Sequence, residues 1–479
     1  MKISLIRPRT GNTPDPPLGL MILSACAKRA GHSIQILDPN PDDNGFLQPL
    51  ISFNPDIVGL SILTTQISRT RDILSIIKKS LPDCITVAGG IHPTALPEWT
   101  LRSLGIDYVV IGEGEITFVE LVNMLAAGND PAGLPGTATM RDNQFIQGEP
   151  RPLIDNLDQI PFPDRETLDF KRYLRPPGNI RGKYLRRATS IITSRGCPFG
   201  CIFCSSHTLF GRSIRRRSVD NVIEEITFLI DNYNIDGLWF LDDTLLESPE
   251  WLENLCERLK PLGLPWACQA HVRRADERLF RLMKDAGCRQ VEFGVESGSE
   301  KTLRRLRKGS HPDDVRRAFA ICKKIGLRTL ANFMIGTPGE TEQDAELSFK
   351  LAKEIKPDHV VITFVTPLPG SALFDESLEK GWLPAVPDFS SDWIIRQTEN
   401  PAVVLAMDIE TIKRIRKKFD NAFFWSNIRE YFQHPIFLLE VLIHMIRHPA
   451  RYWKGIIRAL RTGRLLHIVE TVWEEFNRV

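Results

Sequence analysis

The sequence lacks a strong charge of either sign and a long apolar run. Lysine and arginine number 61 against 59 aspartates and glutamates, and this balance argues against a dedicated nucleic-acid-binding protein, which usually has a basic excess. The best apolar stretch, Pro435 to Met445, is short and interrupted by Glu440, so it cannot cross a bilayer. The beginning of the chain has no apolar core of signal-peptide length.

Cysteine is scarce outside one motif. Six of the nine cysteines lack the spacing of a disulfide framework: Cys26, Cys84, Cys256, Cys268, Cys288 and Cys322. We therefore expect reduced, buried thiols in a cytoplasmic protein. A chain of 479 residues, 42% of them hydrophobic and 25% charged, is long enough for two or three globular domains.

The other three cysteines, Cys197, Cys201 and Cys204, stand in a glycine-bracketed loop after an apolar strand, with the spacing Cys-x-x-x-Cys-x-x-Cys. Three convergent thiolates can ligate three irons of a four-iron cluster and leave the fourth iron open for a substrate. Structural zinc needs a fourth Cys or His at similarly short range, and His207 would give an unusual Cys-x-x-Cys-x-x-His ending. A zinc site or simple packing of buried thiols is the alternative.

This motif, with the aromatic Phe203 directly before the last cysteine, resembles the signature of the radical S-adenosylmethionine (SAM) enzymes. The resemblance implies a 4Fe-4S cluster on the three cysteines, whose open iron binds the amino and carboxylate groups of SAM. One electron from a donor such as flavodoxin or ferredoxin then cleaves SAM into methionine and a 5'-deoxyadenosyl radical. The cofactor supplies the radical chemistry while the protein orients and shields it, and no catalytic side chain is assigned beyond the cluster ligands.

Short β-rich runs alternate with amphipathic stretches in the first part of the chain. The predicted strands are Ile3 to Ile6, Ile34 to Leu37, Ile57 to Ser61, Ile85 to Ala88 and Tyr108 to Ile111. This alternation predicts parallel βαβ units in a doubly wound, flavodoxin-like α/β domain, with ligands at the carboxyl ends of the strands. No Gly-x-Gly-x-x-Gly follows the first strand, which argues against a nucleotide-binding Rossmann domain.

The loops at those strand ends look like the cobalamin-binding domain that precedes the radical module in one branch of the family. Residues 1–135 would form this domain, and the resemblance implies these cobalamin contacts: Ser61, Thr64, Gly89, Gly90, His92, Gly112, Glu113 and Gly114. No histidine has an aspartate two places before it, so the Asp-x-His-x-x-Gly motif of cobalt-ligating histidines is missing. His92 is therefore interpreted as a loop residue near the corrin ring. A flavodoxin-like spacer without cobalamin is the alternative.

Residues 136–187, with several prolines and glycines, are predicted to form a connector in extended or turn conformation, with a solvated basic cluster from Arg181 to Arg187. Residues 188–375 repeat the strand and helix alternation, which predicts a partial (β/α)6 barrel with its site at the carboxyl ends of the strands. The predicted strands are Ser190 to Thr193, Gly237 to Leu241, Trp266 to Ala270, Gln290 to Gly294, Arg328 to Met334 and His359 to Phe364.

Motifs at two of these strand ends resemble SAM-binding segments of the family. After the second strand, Asp242 or Asp243 can accept hydrogen bonds from the amino group of SAM, and we expect the other aspartate to cap the next helix. After the fourth strand, Glu296 can accept from ribose hydroxyls and Ser297 can donate. A strand-end turn with a helix cap at Ser299 is the alternative there.

Two further strand ends carry predicted SAM contacts. After the third strand, His271 and Arg273 are expected near the barrel mouth, where Arg273 can bind a carboxylate bidentately or form an exposed ion pair. After the fifth strand, the segment from Asn332 to Glu340 resembles the adenine-binding segment of the family, with Gly336 in its tight turn. Asn332 stands where glycine is common in the family.

Residues 376–479 are predicted to form a mostly helical C-terminal region. Its last part, from His444 to His467, has no acidic residue and interleaves two sets of side chains: Arg447, Arg451, Lys454, Arg458, Arg461 and Arg464 with Ile446, Tyr452, Trp453, Ile456, Ile457, Leu460 and Leu465. A basic amphipathic helix with aromatic residues is typical of peripheral membrane contact. Packing against its own protein is the alternative.

The resemblance implies an enzyme that cleaves SAM at a 4Fe-4S cluster and, with cobalamin, methylates an unactivated carbon of a small-molecule or isoprenoid-like substrate. Oxidative cyclisation or ring contraction, as in anaerobic tetrapyrrole cyclases and hopanoid side-chain enzymes, is the alternative, because the same architecture serves both. A non-catalytic iron-sulfur or corrinoid carrier is a third hypothesis, but it leaves the motifs at four successive strand ends without a role.

Overall fold

The structure is a computed structural model. It describes residues 1–11, 15–40, 44–174, 187–384, 387–389, 406–429 and 435–449, and individually Leu185, Tyr452, Trp453, Ile457, Leu460, Thr471 and Val472. The predicted basic cluster from Arg181 to Arg187 lies outside the described residues except at Leu185 and Arg187. Most of the predicted basic C-terminal segment also lies outside them, including Arg451, Lys454, Arg458, Arg461 and Arg464.

The first part of the chain forms a seven-stranded sheet with the order β2-β1-β3-β4-β5-β6-β7. Its strands are β1 (Lys2–Ile6), β2 (Ser33–Leu37), β3 (Ile57–Ser61), β4 (Ile85–Gly89), β5 (Tyr108–Val110), β6 (Thr137–Arg141) and β7 (Gln144–Gln147). The first five strands are parallel, and their order is that of flavodoxin-like sheets. The predicted doubly wound fold is therefore confirmed.

Helices cover both faces of this sheet: α1 (Leu18–Arg29), α2 (Leu47–Phe53), α3 (Ile67–Ser80), α4 (Ile91–Ala95), α5 (Pro97–Leu104) and α6 (Gly114–Ala126). Successive strand residues face opposite layers. Ile57 packs in one apolar core with residues of α1 and α6, whereas Val58 packs in another with residues of α3 and α5. Because both faces are buried, these strands are almost continuously apolar.

A second sheet of six parallel strands has the order β8-β11-β12-β13-β14-β15. Its strands are β8 (Ala188–Ile191), β11 (Gly237–Phe240), β12 (Trp266–Ala270), β13 (Cys288–Glu296), β14 (Arg328–Ile335) and β15 (His359–Phe364). The helices of this half are α7 (Ser206–Phe210), α8 (Val219–Tyr233), α9 (Pro249–Leu259), α10 (Glu277–Asp285), α11 (Glu300–Arg305), α12 (Pro312–Ile325), α13 (Glu342–Ile355) and α14 (Ala372–Glu379). Strand and helix alternate along the chain as a (β/α)6 partial barrel requires.

Two short strands form a small separate hairpin beside β8. They are β9 (Ser194–Arg195) and β10 (Arg215–Arg216), and they pair antiparallel. The chain between them contains the cysteine loop and α7, so the predicted cluster loop is the connection of a hairpin.

The C-terminal region contributes helices α15 (Ile409–Ile428) and α16 (Pro435–Arg447). Helix α15 covers the edge strand β15, because the side chain of Asn427 bonds both the backbone N–H and the carbonyl of Val360, each at 2.9 Å. This contact closes an edge that would otherwise be open to pairing. Among the described residues, no helix has the length and apolar character needed to span a membrane.

Every predicted strand boundary lies within two residues of the observed one. The connector differs more, because β6 and β7 form a hairpin that extends the first sheet. Its two strands and their turn are extended and turn backbone, but their pairing with the first sheet was not predicted. The turn residues Asp142 and Asn143 have φ of 48° and 62°, which fits the two-residue type I′ turn of a β-hairpin.

Candidate active site

The cysteine loop begins at a backbone position that only glycine can occupy. In the hairpin that bounds the loop, Arg195 lies opposite Arg215. Gly196 has φ of +93°, and a Cβ there would stand 2.3 Å from the carbonyl oxygen of Ser213. A side chain would collide with this backbone, so the close approach of the two strands fixes the chain directly before Cys197.

The three thiols of the loop lie close to one another. Burial raises the pKa of each thiol, to about 11 for Cys197, and neighbouring thiols raise the pKa of Cys197 and Cys201 further. Three such thiols bind as thiolates only around a positively charged group, and an iron-sulfur cluster fits this donor set. Structural zinc would need a fourth Cys or His ligand at similarly short range.

An aromatic stack supports the cysteine loop. The rings of Phe199, inside the loop, and His271, after β12, lie 3.7 Å apart and 12° from parallel. Nδ1 of His271 accepts from the backbone N–H of Arg273 at 3.3 Å, and Nε2 bonds the carbonyl of Lys308 at 3.1 Å. Burial, helped by the charge of Lys308, lowers the pKa of His271 to about 3. The ring is therefore neutral and acts as a platform for the loop.

A buried ion pair lies beside the thiols at the carboxyl end of β13. Nζ of Lys308 donates to Oε1 of Glu296 at 2.8 Å. Burial alone would lower the pKa of Lys308, but the charges of Glu296 and Cys201 outweigh burial and raise it, so this lysine stays protonated. Glu296 has φ of +63°, a conformation that is rare outside glycine and concentrated at functional sites. Glu296 was predicted from its place at a strand end, whereas Lys308 was not predicted from the sequence.

The two aspartates after β11 have different surroundings. Asp242 is fully buried, and its Oδ1 accepts hydrogen bonds from the N–H and hydroxyl of Thr193 and from the hydroxyl of Ser194. It anchors the chain before the cluster loop. Asp243 is exposed, accepts from the hydroxyl of Ser206 and lies near enough to raise the pKa of two loop thiols. Asp243 is the more accessible of the two aspartates and remains a predicted SAM contact.

Three expectations about capping and donation have clear outcomes. Neither aspartate caps the next helix, because Ser248 is the residue that precedes α9, so that expectation is wrong. Ser297 does not face a ligand, since its buried hydroxyl lies 3.0 Å from that of Ser348 and accepts from the N–H of Ser299. The alternative cap at Ser299 is confirmed, because its side chain accepts from the N–H of Thr302.

The turn after β14, which resembles the adenine-binding segment, is fixed from inside by a carboxyl group. Oε2 of Glu340 accepts from the N–H of Gly336 at 2.7 Å and from that of Thr337 at 3.0 Å. Burial raises the pKa of Glu340 to about 7. Gly336 has φ of +93° and remains a predicted contact, but its N–H is already bonded, so base recognition there would use other groups of the turn.

Phe203 and Arg273 lie at the edges of this site. Phe203 packs beside Ile202, Met334 and Val365 in a small apolar cluster, which holds the end of the cysteine loop on the barrel. Arg273 is exposed in the turn after β12. Both remain predicted SAM contacts.

A cavity of about 170 Å³ opens at the carboxyl ends of β1, β3, β4 and β5 and is closed on one side by α7. Much of its wall is glycine: Gly19, Gly59, Gly89, Gly90, Gly112 and Gly114. A Cβ added at Gly19 or Gly112 would meet no atom within 4 Å, so glycine keeps space open at these points. Such a glycine-lined cavity fits part of a bulky ligand such as cobalamin.

Most predicted cobalamin contacts line this cavity. These residues are Ser61, Gly89, Gly90, Gly112, Glu113 and Gly114. Glu113 is also an ion-pair partner of Arg195 and Arg215 in the cluster hairpin. Neither arginine was predicted from the sequence, although Arg195 stands only two residues before Cys197.

The expectation for His92 is corrected by its surroundings. His92 is fully buried, and its ring packs edge-on against Trp99 and Phe389 with centroids 5.1 and 5.0 Å away. Nδ1 lies 3.1 Å from the hydroxyl of Thr64, and burial lowers the pKa of His92 to about 3. Neither His92 nor Thr64 lines the cavity, and both side chains pack inside the domain.

Known protein families match the two sheet-containing parts of the chain. Residues 12–122 match the B12 binding domain, and residues 191–352 match the radical SAM superfamily. The chain is 34% identical over 457 residues to an uncharacterized methyltransferase of Pyrococcus horikoshii, which covers 92% of this chain and 96% of that protein. It is 30% identical over 380 residues to an anaerobic magnesium-protoporphyrin IX monomethyl ester cyclase of Rubrivivax gelatinosus, covering 76% of this chain and 67% of that one.

The fold also resembles a solved structure. It is that of the cobalamin-dependent S-adenosylmethionine radical enzyme OxsB with aqua-cobalamin and S-adenosylmethionine bound. The TM-score is 0.70 at 17% sequence identity, and the match covers 98% of this chain and 72% of that chain. At this identity the likeness concerns the arrangement of the two sheets.

Proposed function

The chain belongs to the radical SAM enzymes that carry a B12-binding domain, and we propose that it methylates an unactivated carbon of a small-molecule biosynthetic intermediate. Its cofactors are a 4Fe-4S cluster, SAM and cobalamin. We place the cluster on Cys197, Cys201 and Cys204, and cobalamin against the glycine-lined cavity of residues 1–135. The barrel of residues 188–375 holds SAM, with residues 136–187 as connector and residues 376–479 as the C-terminal region.

One observation carries the proposal: the cluster loop and the cavity share a wall. Leu209 and Phe210 belong to α7, directly after the last cysteine of the loop, and both line the cavity beside Gly112 and Gly114. A reaction that needs both cofactors requires such adjacency, because a reactive fragment must meet its partner before water does. A spacer or a carrier would not need a shared wall.

When bound, the cluster with SAM supplies the radical that activates the substrate, and cobalamin supplies the methyl group. The chain's own side chains orient these groups. Lys308 offers a buried positive charge beside the cysteines for the carboxylate of SAM, and Asp243 offers an acceptor for its amino group. Glu296 holds Lys308 in place at 2.8 Å and keeps a second oxygen for a ribose hydroxyl.

The test is an anaerobic assay that does not require the natural substrate. The reconstituted chain is incubated with SAM, dithionite and hydroxocobalamin, and 5'-deoxyadenosine and S-adenosylhomocysteine are quantified. We expect deoxyadenosine from the wild type and none from Cys201→Ala. The matched control is Cys256→Ala, which removes another buried thiol outside the loop and should retain the product. Equal deoxyadenosine from both variants would contradict the assignment of the cluster.

Oxidative cyclisation is the second candidate, and the relationship to an anaerobic cyclase favours it. The two candidates differ in their products. Methyl transfer yields S-adenosylhomocysteine together with deoxyadenosine, whereas cyclisation yields deoxyadenosine alone. A panel of candidate substrates that never releases S-adenosylhomocysteine above the substrate-free level would favour cyclisation.

The electron donor and the compartment are further parts of the proposal. A flavodoxin or ferredoxin supplies the electron, because cleavage of SAM consumes one low-potential electron per turnover. The nine cysteines are free thiols, which supports a reducing compartment such as the cytoplasm. The measurement is deoxyadenosine formation with reduced flavodoxin or ferredoxin in place of dithionite. Absence of deoxyadenosine with both proteins would contradict the proposed electron donor.

We also propose a peripheral membrane contact through α16, which favours a lipid-like substrate. Four large apolar side chains of this helix are exposed: Leu439, Leu442, Ile443 and Ile446. Arg447 follows them at the end of the helix, and basic and apolar side chains on one helix suit an anionic membrane surface.

The test is sedimentation with vesicles of anionic phospholipid. We expect the wild type to sediment and the variant Leu442→Ser with Ile446→Ser to stay in solution. Leu347→Ser is the control, because Leu347 on α13 is 46% exposed and Leu442 is 54% exposed. Equal sedimentation of all three proteins would contradict the contact.

A further inference from the structure

We propose that Arg195 is a positioning residue that couples occupation of the cobalamin cavity to the conformation of the cluster loop. This inference rests on the proposed function. It predicts that cobalamin and the iron-sulfur cluster bind cooperatively, each raising the affinity of the chain for the other.

The coupling begins at the base of the cluster loop. Nη1 of Arg195 donates to Oε1 of Glu113 at 2.7 Å, and Nη2 of the same guanidinium binds Glu115. Both carboxylates flank Gly114 at the start of α6 and line the cavity. Arg195 therefore connects the strand before the cysteines with the loop that forms the cavity wall.

The second strand of the hairpin reaches the same carboxylate. Nη1 of Arg215 donates to Oε2 of Glu113 at 2.8 Å and to the carbonyl of Ile154 at 2.7 Å. The backbone N–H of Ile154 also donates to Glu113, at 2.7 Å. Because Arg195 and Arg215 are opposite each other in the hairpin, one carboxylate of the first domain fixes both ends of the cluster loop.

The loop itself returns to the cavity. Leu209 and Phe210 line the cavity, and the guanidinium of Arg195 lies 5.5 Å from the centre of the Phe210 ring. Nη2 of Arg215 donates to the carbonyl of Phe210 at 3.1 Å. A ligand in the cavity thus touches a wall whose position depends on the same two arginines that hold the loop.

Burial makes this network rigid. The side chains of Glu113, Arg195 and Arg215 are each less than 10% exposed, so separating them would leave charges in the interior without partners. The cavity wall and the cluster loop must therefore shift together. When one ligand favours a conformation that a second ligand also needs, the effect on affinity is reciprocal.

The first experiment uses the wild-type chain. The dissociation constant of hydroxocobalamin is measured by anaerobic titration on the cluster-loaded chain and on the same chain stripped of iron. We expect binding about tenfold tighter with the cluster present, within the usual range of such couplings. Equal affinity in both states would overturn the coupling while leaving the proposed function intact. No binding in either state would overturn the proposed function itself.

The second experiment assigns the coupling to Arg195. Arg195→Lys keeps the charge but loses the two-pronged contact with Glu113 and Glu115, so we expect the ratio of the two dissociation constants to approach one while cobalamin still binds. The control is Arg217→Lys, because Arg217 is buried to a similar degree, pairs with Glu225 instead of Glu113 and Glu115, and does not itself line the cavity. A ratio unchanged in Arg195→Lys, or lost equally in Arg217→Lys, would contradict the assignment to Arg195.

Discussion

Replacing Lys308 with methionine removes the positive partner of Glu296 and keeps much of the side-chain volume. The two side chains are only 10% and 7% exposed and meet at 2.8 Å, so the carboxylate would remain buried without its partner. Breaking a buried ion pair from one side costs about 3–5 kcal/mol. We expect the free energy of unfolding of Lys308→Met to fall by this amount, measured by guanidinium denaturation of the iron-free chain under reducing conditions.

Two control variants distinguish the cost of breaking the buried ion pair from the effect of removing any lysine. Lys301→Met removes a 60% exposed lysine that lies 3.3 Å from Asp344, and exposed pairs contribute only about 0–1 kcal/mol. The double variant Lys308→Met with Glu296→Gln removes both charges, so most of the lost stability should return. If Lys308→Met were as stable as Lys301→Met, the description of a buried, energetically coupled pair would be refuted.

The same variants test the role of Lys308 toward SAM. Loss of the buried cation should weaken binding of SAM to the cluster-loaded chain by at least about tenfold, or about 1.4 kcal/mol, in an equilibrium-dialysis measurement. The double variant should stay weak although its stability returns. Wild-type affinity in the double variant would show that Lys308 acts on stability alone.

Three further predictions concern single positions. Burial raises the pKa of Glu340 from 4.5 to about 7, so the folded chain binds the proton of this carboxyl group more tightly than the unfolded chain does. The resulting contribution to the free energy of unfolding is complete below pH 4.5 and is lost as pH rises through about 7. Glu340→Gln should therefore reduce the fall of the free energy of unfolding over this pH range, measured by denaturation at several pH values. Gly196→Ala should abolish cluster retention in iron and sulfide analyses, whereas Gly263→Ala, with no atom within 4 Å of the added Cβ, should retain the cluster. His92→Ala should cost about 2–5 kcal/mol of stability and leave the cobalamin dissociation constant within twofold of wild type; a large loss of affinity in a stable variant would contradict the corrected role of His92.

The parallel strands were predictable because each is a short apolar run between amphipathic segments, and burial on both faces gives such runs a clear signal. The β6 and β7 hairpin was missed although a signal existed. Asp142 and Asn143 separate two alternating segments, which is a typical two-residue turn. The surrounding prolines and glycines favour turns and extended backbone, which is compatible with a connector as well as with a hairpin.

The candidate site was predictable where chemistry depends on spacing along the chain and less so where it depends on folding. The cysteine spacing identified the cluster loop, and the carboxylates after β11 and β13 were found by their place at strand ends. Lys308 was missed because nothing in its local sequence distinguishes a buried lysine from an exposed one. His92 was misplaced because Trp99 and Phe389, which enclose it, come together only in the folded chain.

We propose that the cluster and cobalamin lie side by side across the shared wall formed by Leu209 and Phe210. The most direct measurement is electron paramagnetic resonance of the chain loaded with the reduced cluster and with cobalamin in its paramagnetic cobalt(II) form. We predict that the cobalt signal relaxes faster when the cluster is reduced and slows again when the cluster is oxidised. Identical cobalt relaxation in both cluster states would contradict the shared site.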